Sequence, residues 1–387
     1  MWSVVVPQLP AAGFDLSLDQ QFWLIAVPSL VGAFLRVPYT FAVPLFGGRN
    51  WTVLSALLLL LPALGLAWVV GRPETPFGIL LLVAALAGFG GGNFASSMTN
   101  ISFFFPEAEK GKALGINAAG GNLGTGVVQL VIPAVITIGA GIHLERAGLV
   151  FIPLVLLAAF GAWRGMDNLS TATSDHRSWA KATTHPHTWI ISFLYIGTFG
   201  SFIGYSAAFP TLLTTQFPEV TASLAFLGAL LGAFSRPVGG TIADRFGGAR
   251  VAVASFALMG LAAGDAILAL TLHSFVLFLG SFLVLFIGSG IGNGATYRMI
   301  PAVFRAGVRD ADELAVARRS AAGCIGIAGA VGAVGGFLVP RGFAMSATAF
   351  DSLVPAIGVF IGAYVLMGTL TWAIYLRRGA RLASEGF

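Results

Sequence analysis

The stretch SLVGAFLRVPYTFAVPLF, residues 29–46, is apolar enough to lie in lipid, yet it holds an arginine at its centre. A guanidinium at membrane depth is costly, and no acid stands near Arg36 in sequence to offset it. The surroundings show that the membrane is the right setting. Of 387 residues, 57% are hydrophobic and only 10% charged, and mean hydropathy is +0.87. Soluble domains are about 25% charged, so this is an integral membrane protein. Each span needs about 20 apolar residues, helical because lipid hydrogen-bonds no backbone. Eleven full spans are read at 20–46, 51–71, 77–104, 112–136, 147–164, 188–214, 222–243, 249–271, 275–299, 316–340 and 354–376, after an apolar stub at 1–13. The stub lacks the basic start of a cleavable leader.

Basic residues set the orientation. One set of loops, with the C-terminus, holds sixteen: Arg49, Lys110, Lys112, Arg164, Arg177, Lys181, Arg245, Arg250, Arg298, Arg305, Arg309, Arg318, Arg319, Arg377, Arg378 and Arg381. The opposite set holds three, Arg72, Arg146 and Arg341. The expectation is therefore a multi-pass protein of the cytoplasmic membrane with its C-terminus and loop 165–187 in the cytoplasm. The net charge of +5 is this asymmetry and not a nucleic-acid patch. Cys324, the single cysteine, lies in an apolar span, which excludes a disulfide or cysteine-based metal framework. No cofactor or metal is expected, and the state expected is a monomer in the lipid bilayer.

The halves of the chain repeat at an offset of 200. Arg36 is followed ten residues later by Phe46-Gly47-Gly48, and Arg236 by Phe246-Gly247-Gly248. Gly92-Asn93 recurs as Gly292-Asn293, and Pro10 as Pro210. Pro133 matches Pro340 at 207, which fits an insertion in loop 300–315. Parallel repeats of this kind place a substrate near the midplane where they meet. The expected organisation is a transmembrane bundle at 1–164, a cytoplasmic linker at 165–187 and a second bundle at 188–387. About thirteen residues of span 188–214 have no counterpart before Met1, so the first helix is expected to be truncated, by a fragment or a misplaced start.

Arg36 and Arg236 are the sharpest signal. The plainer reading pairs each with a distant carboxylate or lets it snorkel. Only Asp265 is an acid clearly inside a span, and it could serve one arginine at most. The alternative is an anion from outside the protein. A guanidinium suits an oxyanion because its planar fork gives paired hydrogen bonds and never deprotonates. Two such charges about 8 Å apart, at an effective dielectric near ~20, repel by about 2 kcal/mol; a bound anion would offset this and let the loaded carrier close.

Other polar residues join the candidate set. Asn93 and Asn293 are repeat mates that either meet ligand or lock a helix pair. Asn122 and Gln129, seven residues apart, share a helical face and offer amide donors. Tyr195 and Phe199 lie one turn apart, as bundle packing or as a hydroxyl and a stacking ring for a planar anion. His185 and His187, flanking Pro186, read as surface loop residues. The glycines of 111–133 and 321–340 read as packing and sliding surfaces. Gly288-Ser-Gly-Ile-Gly-Asn-Gly294 lies inside a span and is no nucleotide loop.

These residues carry a resemblance. The chain is similar to the nitrate/nitrite porter family of the major facilitator superfamily through LRVPYTFAVPLFGGRNW, GGGNFASSMTNISFFFPEAEKGKALGINAAGGNLGTG, TWIISFLYIGTFGSFIGYSAAFP and SRPVGG. Runs 118–126 and 326–336 resemble that family's nitrate-signature segments. The resemblance implies an all-α membrane protein of two pseudo-symmetric six-helix bundles, and places the family's substrate residues on Arg36, Arg236, Asn122, Tyr195 and Phe199. IADRFGGAR, 242–250, resembles the cytoplasmic gate motif, with Asp244 and Arg245 as latch residues. The first helix departs from the family pattern. The function implied is secondary transport of nitrate, nitrite or both, by exchange. Nitrate/proton symport and carriage of another small anion are the alternatives. A sugar or drug carrier is disfavoured by two arginines without matching acids. A sensor lacks a soluble signalling domain, and an enzyme lacks a nucleophile, base or metal cluster.

Overall fold

The computed structural model describes residues 1–170, 172, 176–306, 308 and 310–377. Arg309, Arg378 and Arg381 of the basic set lie outside the described residues, as do the side chains of Lys110, Lys112 and Arg177. Every regular element among the described residues is a helix. Eleven are long and apolar enough to cross a membrane: α1 (Leu18–Phe46), α2 (Gly48–Val69), α3 (Phe77–Phe104), α4 (Ala113–Ile136), α5 (Arg146–Gly165), α6 (Pro186–Gln216), α7 (Ala222–Phe246), α8 (Gly248–Thr271), α9 (Phe275–Arg305), α10 (Asp312–Phe350) and α11 (Val354–Leu376). Residues 2–12 form short helical turns with Trp2, Val5, Val6 and Leu9 buried.

The ends follow local chemistry. Ser17 accepts from the Gln20 amide while the Gln20 side chain accepts from the Ser17 amide, a reciprocal cap that starts α1. Asp310 caps the helix entering α10 through the Glu313 amide at 2.7 Å. The repeated Phe-Gly-Gly marks two sharp reversals, because Gly47 and Gly247 have φ of +84° and +91°. Asn168 Oδ1 accepts from the Arg49 and Asn50 amides at 3.0 and 3.3 Å, satisfying donors that the start of α2 leaves open.

Two stretches are more ordered than a polar composition suggests. The linker contains a helix, His176–Thr184, whose Trp179 lies over Gly326. The paired histidines are not plain surface residues: the His185 ring packs 4.6 Å from Phe304, and His187 Nδ1 lies 2.9 Å from the Tyr375 hydroxyl. Pro186 starts α6 between them, so both rings are drawn into a helix junction.

The chain divides into two compact units. The first comprises Met1–Ser174, Gly204–Phe226 and Gly336–Ala344; the second comprises Asp175–Ile203, Leu227–Gly335 and Met345–Phe387. Within the first, α1 and α3 approach backbone to backbone where Gly32 meets Gly91. Arg341 Nη1 donates to Asp19 Oδ1 at 2.8 Å while its guanidinium lies 4.3 Å over the Trp23 ring. Within the second, α7 and α9 are equally close: a side chain on Gly290 would strike the Gly232 carbonyl, and one on Gly294 the Arg236 carbonyl. Small residues at a lipid-embedded crossing bring polar groups on both helices within reach of one another.

Candidate functional site

In the second unit, four of the expected residues converge. Arg236 on α7 is 7% exposed, and its Nη2 donates to the Tyr195 hydroxyl at 3.3 Å. Tyr195 in turn donates to Asn293 Oδ1 at 2.8 Å. Its ring stacks on Phe199 with centroids 5.0 Å apart and planes at 23°. The guanidinium carbon lies 5.8 Å from the Phe199 centroid and 5.6 Å from that of Tyr297. Arg236 Nη1 is buried with no hydrogen-bond partner among the described residues. A permanent cation is thus flanked by aromatic faces and tied at one nitrogen.

Local backbone explains the pairing of the two rings. Residues 196–200 of α6 form a π turn, one residue wider than an α turn and recurrent at functional sites. Gly197 and Gly200 admit close neighbours there, Met367 and Phe256 at the first and Gly335 at the second. Gly332 presses on the Tyr195 ring.

In the first unit, Arg36 on α1 is 6% exposed, with its guanidinium 4.8 Å over the Phe94 ring. Asn93, next to Phe94, is half-buried, and its Oδ1 has no partner among the described residues. Its repeat mate Asn293 is fully buried and committed to Tyr195, so the two amides are not equivalent. On α4, Asn122 is buried with Nδ2 unpartnered among the described residues.

Gln129 has a different occupation. Its Nε2 donates to the Ser206 carbonyl at 2.6 Å. Four residues on from Ser206 stands Pro210, which has no N–H, so this carbonyl loses its helical partner and Gln129 replaces it. The gate motif is also resolved in part: Asp244 pairs with Arg298 of α9, while Arg245 lies 5.4 Å over Phe246 instead of joining that pair. Asp265 is exposed on α8 and makes no ion pair among the described residues.

Two residues were missed in the sequence, Phe94 and Tyr297. Each was findable from its place beside a repeated Gly-Asn pair, Phe94 directly after Asn93 and Tyr297 one helical turn after Asn293.

The family model described as Major Facilitator Superfamily matches residues 1–340. The chain belongs to this superfamily. Within it the relatives are nitrate/nitrite porters, and the chain is a member of that family. It is 42% identical to the "Nitrate/nitrite transporter NarU" of Escherichia coli (strain K12), over 98% of this chain and 88% of the relative. It is 35% identical to the "Probable nitrate/nitrite antiporter NarK2" of Thermus thermophilus, with the same coverage of each chain. The crystal structure of a D-xylose–proton symporter has the same fold, with a TM-score of 0.71 over 96% of this porter and 92% of that chain, at 15% identity.

Proposed function

We propose that this porter carries nitrate and nitrite across the membrane by alternating access, exchanging one for the other, and that it performs no chemistry on either. The observation that carries this reading is Arg236, a buried cation held by a phenol oxygen at Nη2 and open at Nη1 among the described residues. An oxyanion completes that coordination and offsets a charge that burial would otherwise make costly. Flanking aromatic faces suit a planar anion better than a bulky or strongly hydrated one. Arg36 over Phe94, and the open amide of Asn122, supply further contacts to the same substrate class. The printed names of the relatives, a nitrate/nitrite transporter and a nitrate/nitrite antiporter, point the same way.

The C-terminus and the linker face the cytoplasm, as the basic residues require. Exchange is favoured over proton symport because Asp265, an acid within α8, is exposed and stands apart from the hydrogen-bond chain at Arg236. The test is nitrate binding to the purified porter by titration calorimetry. Arg236→Lys keeps the charge but loses the fork, and nitrate affinity is expected to fall at least ~10-fold. Near-normal affinity in that variant contradicts recognition by this arginine.

A further inference from the structure

The hydrogen-bond chain behind Arg236 has only one consistent direction. A guanidinium nitrogen can only donate, and an amide oxygen can only accept. The single proton of Tyr195 therefore goes to Asn293 Oδ1, 2.8 Å away, and the phenol oxygen accepts from Arg236 Nη2 at 3.3 Å. In this arrangement Tyr195 offers Arg236 a lone pair and has no proton left for an anion. Asn293 is 1% exposed and bonds the phenol, not open space.

The backbone makes this chain stiff. Asn293 lies between Gly292, which packs against Thr198 and Ser255, and Gly294, which packs against the carbonyl of Arg236 itself. Gly239, one turn beyond Arg236, meets the backbone of Ile291. The residue that accepts the proton and the residue that receives the lone pair thus sit on helices locked together at those positions. An amide on α9 can then fix the direction of a hydroxyl on α6 and, through it, the rotamer of an arginine on α7.

We propose that Asn293 is a positioning residue for anion recognition: by taking the Tyr195 proton it turns the phenol oxygen toward Arg236 and holds the guanidinium so that Nη1, unpartnered among the described residues, meets the substrate. The inference rests on Arg236 recognising nitrate. It differs from direct ligand contact in one measurable respect, because an effect passed through the Tyr195 hydroxyl disappears when that hydroxyl is absent.

The experiment is a double-mutant cycle on the full-length chain in detergent, with nitrate Kd read by titration calorimetry and folding by thermal melting without nitrate. Tyr195→Phe is expected to weaken nitrate by about tenfold, the scale of a hydrogen bond to a charged group. Asn293→Leu should cost a similar factor, about tenfold, in the wild-type background and less than about twofold in the Tyr195→Phe background. Should leucine prevent folding, Asn293→Ser serves instead, since its short hydroxyl cannot reach the phenol and returns to its own helix. Equal losses in both backgrounds overturn the proposal, as that is the mark of direct anion contact or of general support for the fold. An unchanged Kd in the Asn293 variant alone overturns it as well. Wild-type nitrate binding in both Arg236→Lys and Tyr195→Phe is a separate outcome, which removes the underlying site and the inference with it.

Discussion

At Arg236 a single side chain carries three requirements: burial, a held rotamer and a nitrogen uncommitted among the described residues. The two amides of α4 divide along the same line. Asn122 has an Nδ2 open among the described residues, whereas Gln129 directs its Nε2 to the carbonyl orphaned by Pro210. Asn122→Ala should therefore weaken nitrate binding by about 1–2 kcal/mol with little change in melting temperature. Gln129→Leu should do the reverse, costing about 1–3 kcal/mol of stability with nitrate Kd unchanged, and paired calorimetry and melting curves separate the two. His185 provides a test by pH. Burial against Phe304 pushes its pKa below the ordinary value, so the folded state binds fewer protons than the unfolded one. Its contribution is present above the unfolded pKa and is lost as pH falls through that value toward the folded one. Melting temperature should drop less for His185→Phe than for the wild type between about pH 7.5 and about pH 5.5, a window around the ordinary histidine pKa. An equal drop would mean that other groups set the acid response. Both arginines were legible in the sequence because a charge stands out inside an apolar run. Phe94 was not, because it is one of 32 phenylalanines and apolar spans need no reason to hold one. The bond from Gln129 to Ser206 was not legible because the carbonyl it serves is 77 residues away.

Among the elements, the glycine-rich helices divide into packed and open faces. On α9, a methyl at Gly294 meets the backbone of the helix that carries Arg236. On α4, Gly115, Gly120, Gly121 and Gly124 have nothing among the described residues within 4 Å of where a side chain would begin. Gly294→Ala should accordingly cost about 1–3 kcal/mol of stability and displace Arg236, lowering nitrate affinity as well. Gly121→Ala should melt at or above the wild-type temperature, since Ala is the better helix former. A large loss of stability in Gly121→Ala would show that this face is packed after all. All eleven spans were legible because membrane helices must be continuous and apolar, whereas their outer ends were not. α9 runs on to Arg305 and α10 to Phe350, since a helix can leave the apolar layer without changing its hydrogen bonding. The helix in the linker escaped because composition reports polarity, and packing such as that of Trp179 on Gly326 leaves no mark in it. The π turn at 196–200 leaves no mark in sequence beyond two glycines.

For the molecule as a whole, the 200-residue repeat explains why two buried arginines occur at all, and the proposed function gives them a substrate class. A carrier built on permanent cations crosses easily when loaded and slowly when empty, because an unfilled arginine site has no anion to offset its charge. On the proposed reading, exchange follows from that asymmetry without any titrating group. Asp265→Asn should leave the exchange rate within about twofold of wild type, because a site that shares no partner with the hydrogen-bond chain at Arg236 couples to it weakly. Loss of transport in that variant would instead make Asp265 a coupling residue. The most direct test is uptake of labelled nitrate into proteoliposomes, with internal nitrite, with no internal anion, and with an imposed pH gradient. Nitrite inside should accelerate nitrate entry at least ~10-fold, with little uptake into empty vesicles and no accumulation driven by pH alone. Concentrative uptake into anion-free vesicles that rises as the outside pH falls, and that Asp265→Asn abolishes, would contradict exchange and establish proton coupling.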